Sequence, residues 1–239
     1  MSPIRSSYFL LTLFSASLLS GQAIVSPVDV QASVSLSVDV IREGAILDSA
    51  NESDFTILNG TTVASVEAPN VLDAQGQALL QQEGFLAART LVVRDEGNFL
   101  RFIASCNADL SYEKLAAIRT DVVEYRGDAE LKFDFEVSGG SMPFDLSWDD
   151  FWLGSSFELT VVLSRDGDPI PVYEYPAPQG ETDPGKRVAA LLDPGTYTLE
   201  ISMPAESLNQ DRLRQDLAFE LAVGEEPEEI PIPPQGEYT

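Results

Sequence analysis

From Leu131 to Val137 every second residue is apolar: Leu131, Phe133, Phe135 and Val137 alternate with Lys132, Asp134 and Glu136. Successive side chains of an extended strand point to opposite faces, so this pattern builds a strand with one buried and one wet face. The same period returns in Val34–Val40, Phe157–Leu163, Tyr197–Ile201 and Leu217–Val223. A chain of such strands has to lay two sheets against each other to hide the apolar faces.

Turn chemistry separates the runs. Asn59-Gly60, between Phe55–Leu58 and Thr61–Val66, suits a type I′ hairpin. Gln75-Gly76 suits a second hairpin within 69–88, and Asp95-Glu96-Gly97 a third between Arg89–Arg94 and Asn98–Asn107. Asp48–Asp54 reads as a polar turn, and Arg126-Gly127-Asp128 as a turn between strands. Gly139-Gly140 and Arg165–Pro169 close further strands. Tyr112–Arg126 mixes helical and strand propensities. Val172–Tyr175, crowded by prolines, reads as an edge strand. Asp193-Pro194-Gly195 is a turn that makes Val188–Leu192 the neighbour of the Tyr197–Ile201 strand, and Ala205–Gln215 reads as a polar crossing with room for one helical turn. About ten strands follow, and the expected fold is an all-β antiparallel sandwich with jelly-roll-like connectivity.

The ends differ from the middle. Arg5, the apolar run Tyr8–Leu19 and the small residues up to Ala23 form a secretory signal, with cleavage after Ala23. That run is shorter than the ~20 residues a membrane-spanning helix needs. Residues 24–32 read as a loose leader and 33–223 as the sandwich domain. Residues 224–239, with acids, prolines and no base, read as a disordered tail. The expected location is therefore secreted, periplasmic or extracellular, with no membrane span left after the signal is removed.

Charge narrows the partners. The chain carries a formal net charge of −25, and the signal segment removes only Arg5 from the charged set. So acidic a surface repels nucleic acid and anionic membrane, and leaves extracellular polysaccharide or surface proteins as partners. Cys106 is the one cysteine, so no intramolecular disulfide forms, which points to a bacterial exported protein; in Phe102–Asn107 it reads as a buried structural thiol.

There is no histidine, which excludes Ser-His-Asp and Cys-His catalysis and, with a single cysteine, the usual zinc sites. No Gly-rich phosphate loop appears. Carboxylate chemistry remains, because a glycosidase needs only two acids flanking a bond. Two patches carry candidate sites. Trp148, Trp152, Tyr173 and Tyr175 either pack in the core or present flat rings on which sugars stack. Asp149, Asp150, Asp166 and Asp168 either serve turns or supply oxygens to calcium, the one cofactor such a set would take.

Phe133-Asp-Phe-Glu-Val-Ser-Gly-Gly140, Phe157-Glu-Leu-Thr-Val-Val-Leu163, a proline-rich loop, Leu192-Asp-Pro-Gly-Thr-Tyr-Thr-Leu-Glu-Ile201 and Leu217-Ala-Phe-Glu-Leu221 follow in that order. The arrangement resembles exported bacterial β-sandwich proteins of unknown function that carry a C-terminal sorting tag of the Pro-Glu-Pro type. The likeness spans roughly residues 33–223. The tail here has Glu226-Pro227-Glu228 but neither the apolar span nor the terminal basic cluster of such tags. The resemblance implies a secreted sandwich and no catalytic residue. The expected function is a non-enzymatic structural or interaction module at the cell surface or in the extracellular matrix. A carbohydrate-binding module is the alternative, and a carboxylate-dependent glycoside hydrolase the third reading.

Overall fold

The computed structural model describes residues 23–57, 61–115, 118, 120–153, 156–157, 159–176, 187–210 and 212–225. The segment before Ala23 read as a secretory signal, residues 177–186 and the acidic stretch from residue 226 lie outside them. The described strands are β1 (Ile24–Arg42), β2 (Ala45–Ile57), β3 (Thr61–Glu67), β4 (Leu80–Asp95), β5 (Phe99–Lys114), β6 (Val122–Ser138), β7 (Met142–Leu153), β8 (Ser156–Phe157), β9 (Thr160–Arg165), β10 (Tyr173–Tyr175), β11 (Arg187–Leu192), β12 (Gly195–Leu208) and β13 (Arg212–Gly224). Among the described residues no helix is long and apolar enough to cross a membrane.

The strands form two antiparallel sheets, as the alternation requires. The front sheet has the order β10-β9-β12-β6-β1-β2, with β8 also paired to β12; the back sheet has the order β11-β7-β13-β5-β4-β3. From β5 onward the chain keeps swapping sheets, which is its jelly-roll-like character.

The core is the set of inward residues that the alternation singled out. Leu131, Phe133, Phe135, Val137, Leu159, Tyr197, Leu199, Ile201, Phe219 and Leu221 are all buried. Phe135 faces Tyr197 across the β6–β12 ladder, and the two rings stack 5.5 Å apart. Phe133 stacks on Phe102 of the back sheet at 4.4 Å, so one aromatic column ties the sheets together. Such a pair adds ~0.5–1.5 kcal/mol beyond the area it buries. Gly127 allows a close approach between the sheets: a Cβ there would stand 2.9 Å from Leu86 Cδ2. Cys106 is buried in this core, and burial, with a smaller contribution from the Asp128 carboxylate, pushes its thiol up to about 12. That keeps it an inert packing group.

Several sequence expectations are corrected. Residues 24–32 are no loose leader but the first half of β1, with Val25, Val30 and Ala32 buried. From Ile24 to Val30 β1 pairs with β6 alone, and the register shifts between Pro27 and Asp29. An edge position with a bulge tolerates the proline that broke the sequence pattern. Asp48–Asp54 is not a turn but part of β2, an edge strand whose polarity comes from exposure rather than from bending. Asn59-Gly60 lies outside the described residues, and the strands on either side of it do not pair as a hairpin: β2 lies in the front sheet and β3 in the back one. Val188–Leu192 likewise pairs with β7 in the back sheet, not with the strand after Gly195. Gly195 itself makes room for Arg165, whose Nε would stand 2.5 Å from a Cβ at that position.

Arg126-Gly127-Asp128 sits within β6. Ala205–Gln215 is mostly strand, with Ala205, Ser207, Leu213 and Gln215 all inward and buried. Small or polar residues at those inward positions hid the alternation. The hairpins at Gln75-Gly76 and Asp95–Gly97 form as expected, with Gly76 and Gly97 both at φ 75°. Val172–Tyr175 contributes the edge strand β10.

Candidate binding face

The residues singled out from sequence do not make a surface site. Trp148 is 3 % exposed and packs against Tyr175 at 5.1 Å, Phe219 at 6.2 Å and Tyr173 at 6.4 Å. Tyr173 is buried and Tyr175 partly so. These rings close the gap between β7 and β10, from opposite sheets, rather than offering a platform. Trp152 lies in β7 opposite Gln215, and its side chain is outside those described. The four aspartates split between sheets. Asp149 and Asp150 belong to β7. Asp166 and Asp168 flank Gly167, at φ 84°, in the β9–β10 turn. There Asp166 N–H donates to the Thr196 carbonyl, Asp168 N–H donates to the Arg165 carbonyl, and the Asp168 carboxylate lies 3.7 Å from Arg165. No three acidic or thiol side chains among the described residues gather as a metal site. Of the two readings open for these aspartates, Asp166 and Asp168 follow the turn one, while Asp149 and Asp150 are strand residues of the other sheet.

A different surface emerges from the register of the front sheet. Phe55 pairs with Ser33, Ser33 with Glu130, Glu130 with Ser202 and Ser202 with Thr160, in one row across β2, β1, β6, β12 and β9. The next row runs Gln31, Lys132, Glu200, Val162. With strands 4.7–4.9 Å apart, five of them span roughly 19 Å. These two rows line a groove of about 290 Å³ on the outer face. Phe55, 57 % exposed, forms one wall, and Val162 and Thr160 lie at the other end. A shallower depression continues from Phe55 and Glu130 along Ser35, Ser53 and Asp128.

Hydrogen bonds between neighbouring strands hold polar groups on this face. Ser33 Oγ donates to Glu130 at 3.2 Å, and Ser202 Oγ donates to Asp128 at 3.2 Å. Thr198 Oγ1 donates to Asp134 at 2.6 Å. Half-burial raises the Asp128 carboxyl above its ordinary range, and the adjacent Glu130 carboxylate raises it further. Asp128 and Glu130 are side by side on one strand rather than on opposite walls, which is not the flanking arrangement that glycoside hydrolysis uses. Chemically, the groove offers two carboxylates, the Lys132 ammonium, hydroxyls, an amide and one exposed ring to a ligand lying across the strands.

Only the repeated serines Ser33, Ser35 and Ser37, and Phe55 alone in a polar stretch, marked this face in the sequence. Neither is a motif.

An all-β antiparallel sandwich with an open, polar outer groove is the class that fold and face define. No protein-family model matches the chain, and no curated protein matches it at a meaningful level. Among solved structures, the glycoside hydrolase family 31 α-xylosidase of Xanthomonas citri is 10 % identical, with 84 % of this chain aligned to 28 % of that one at a TM-score of 0.16. The chain thus spans under a third of that enzyme's length, and so slight a likeness carries no argument about fold or activity.

Proposed function

We propose that this chain is an exported, non-enzymatic interaction module of the cell surface or extracellular matrix, and that it binds through the outer face of the front sheet. The observation that carries this reading is the groove itself: a half-exposed phenylalanine on an edge strand, set beside two rows of hydrogen-bonding side chains that reach across five strands. A ring in that position has no packing role in the core, and an exposed aromatic beside polar groups is the composition of recognition surfaces. Export rests on the N-terminal apolar run and on the resemblance of residues 33–223 to exported sandwich proteins. The buried Trp148 and Tyr173 give the sugar-platform reading no support.

The test is a screen of the purified protein against arrays of extracellular glycans and peptides, with and without calcium, repeated with Phe55→Ala. Ligands found with the native protein should lose about tenfold or more in affinity, the loss expected for a central aromatic contact. Ligands that bind Phe55→Ala as well as the native protein would move the binding surface elsewhere.

A further inference from the structure

We infer that the front-face groove takes a Lys/Arg-rich extended peptide segment of a partner protein, an inference that rests on the binding-face reading above. Charge decides it. Along the rows of the front face, β6 presents Asp128, Glu130 and Asp134 and β12 presents Glu200 and Glu206; the cations interleaved with them are Lys132 and Arg126. Lys132 lies 3.8 Å from Asp134, and Arg126 lies 2.7 Å from Glu124 on its own strand. Lys132 lines the groove in register with Glu200 and leans toward Asp134, so acids still outnumber cations on this face, and a net negative face attracts cations and repels anions at range. Phe55 complements this. A lysine stem packs on an aromatic wall, and an ammonium or guanidinium over a ring gains ~0.5–1 kcal/mol at an exposed site.

The occupant is extended because the groove is a trough across strands, roughly 19 Å by the strand spacing and with little depth. A peptide is favoured over an amino-sugar polymer because Phe55 is the one aromatic wall among the residues lining the groove, whereas saccharide chains need successive flat rings. Serine and threonine at Ser33, Ser202 and Thr160 supply bonds to a backbone between the charged positions.

The experiment uses fluorescence anisotropy of the whole protein with a short labelled peptide alternating lysine and threonine. A glutamate–threonine peptide and a deacetylated chitin oligomer serve as comparison probes. The lysine peptide should bind, the glutamate peptide should not, and affinity should fall about tenfold or more between low salt and 0.5 M sodium chloride as exposed charges are screened. The pair Glu130→Gln with Glu200→Gln should weaken binding by about tenfold, since removing exposed complementary charges acts mainly on association. Glu220→Gln on the opposite face should leave it unchanged. Binding of the amino-sugar oligomer without the peptide would overturn the peptide assignment while leaving the face as the binding surface. Equal losses in the Glu220 variant, or no binding of any cationic probe, would overturn the inference outright. A neutral glycan lost on Phe55→Ala would then show that the face binds but that its ligand is not cationic.

Discussion

The two outer faces of the sandwich share one ladder geometry and differ in how charge is distributed on it. On the back face arginines sit beside acids: Arg101 with Glu220 at 2.7 Å, Arg187 with Asp145 at 2.6 Å, Arg214 with Asp216 at 2.8 Å and Arg212 with Asp109 at 3.5 Å. On the front face acids follow one another along β6 and β12 with two cations among them. The repulsion among the front-face acids is a cost that the common core must absorb, and it is the charge the proposed cationic partner would neutralise.

Both faces hang on that core, so the largest effect expected is indifferent to the face. Phe135 is fully buried, with Phe133 and Tyr197 stacked on either side. Phe135→Ala should lose about 3–5 kcal/mol, the range for emptying a core aromatic site. Denaturant unfolding should show one transition for probes on either face. A loss under about 1 kcal/mol, or two separate transitions, would mean that the faces belong to units that fold apart.

Charge reversal separates the faces directly. Glu220→Lys on the back face replaces an ion pair with repulsion against Arg101 and should cost up to ~1 kcal/mol at low salt. Glu130→Lys on the front should cost nothing or stabilise by a few tenths of a kcal/mol, because it relieves like-charge crowding. The native protein should gain stability as sodium chloride rises to about 0.5 M, and the Glu130→Lys protein should gain less. Thermal melts of the three proteins across that titration check this; equal costs for the two reversals would break the comparison.

Acid titration sharpens it further, because two carboxyls depart from the ordinary range in opposite directions. Arg42 donates two hydrogen bonds to Asp121, at 2.9 and 2.7 Å, and holds its carboxyl below the usual range. That contribution is present above the unfolded carboxylate pKa, near ~3.9, and is lost as pH falls through the lower folded value. Asp128 is raised instead, so its contribution is present below the unfolded pKa and is lost as pH rises through the folded one. Asp128→Asn should therefore stabilise the protein at neutral pH and give no gain in acid, whereas Asp121→Asn should destabilise at neutral pH and progressively less below about pH 4. Melting temperatures measured from neutral pH into acid read both signs. A neutral-pH loss in Asp128→Asn would show that the front-face acids are not crowded.

The smallest effect concerns metal. Asp149 and Asp150 stand on a different sheet from the Asp166–Asp168 turn. Calcium and magnesium should then shift the melt equally, by screening alone. A calcium-selective shift at fixed high salt would restore a specific site by mass action on the folded state.

The sequence made the buried half of this comparison legible and hid the other half. Alternation names each residue's face, so Leu131, Phe133, Tyr197 and Leu221 read correctly as core without any knowledge of strand order. A face is a different object. Ser33, Glu130, Ser202 and Thr160 become one row only because β1, β6, β12 and β9 are neighbours, and the turns do not encode that order. Asn59-Gly60 and Asp193–Gly195 look like hairpin turns yet join strands in opposite sheets. The aromatic cluster shows the same rule at work: of the two readings open for Trp148, core packing holds, because it alternates in register with Phe144 and Leu146, all three buried, while its acidic neighbour Asp149 points out.

Carboxyl footprinting with a water-soluble carbodiimide and an amine, read by mass spectrometry with and without the lysine–threonine peptide, tests the central claim most directly. Bound peptide should protect Glu130 and Glu200 on the front face and leave Glu220 and Asp145 on the back face as reactive as before. Protection centred on Glu220 and Asp145, or spread evenly over both faces, would contradict it.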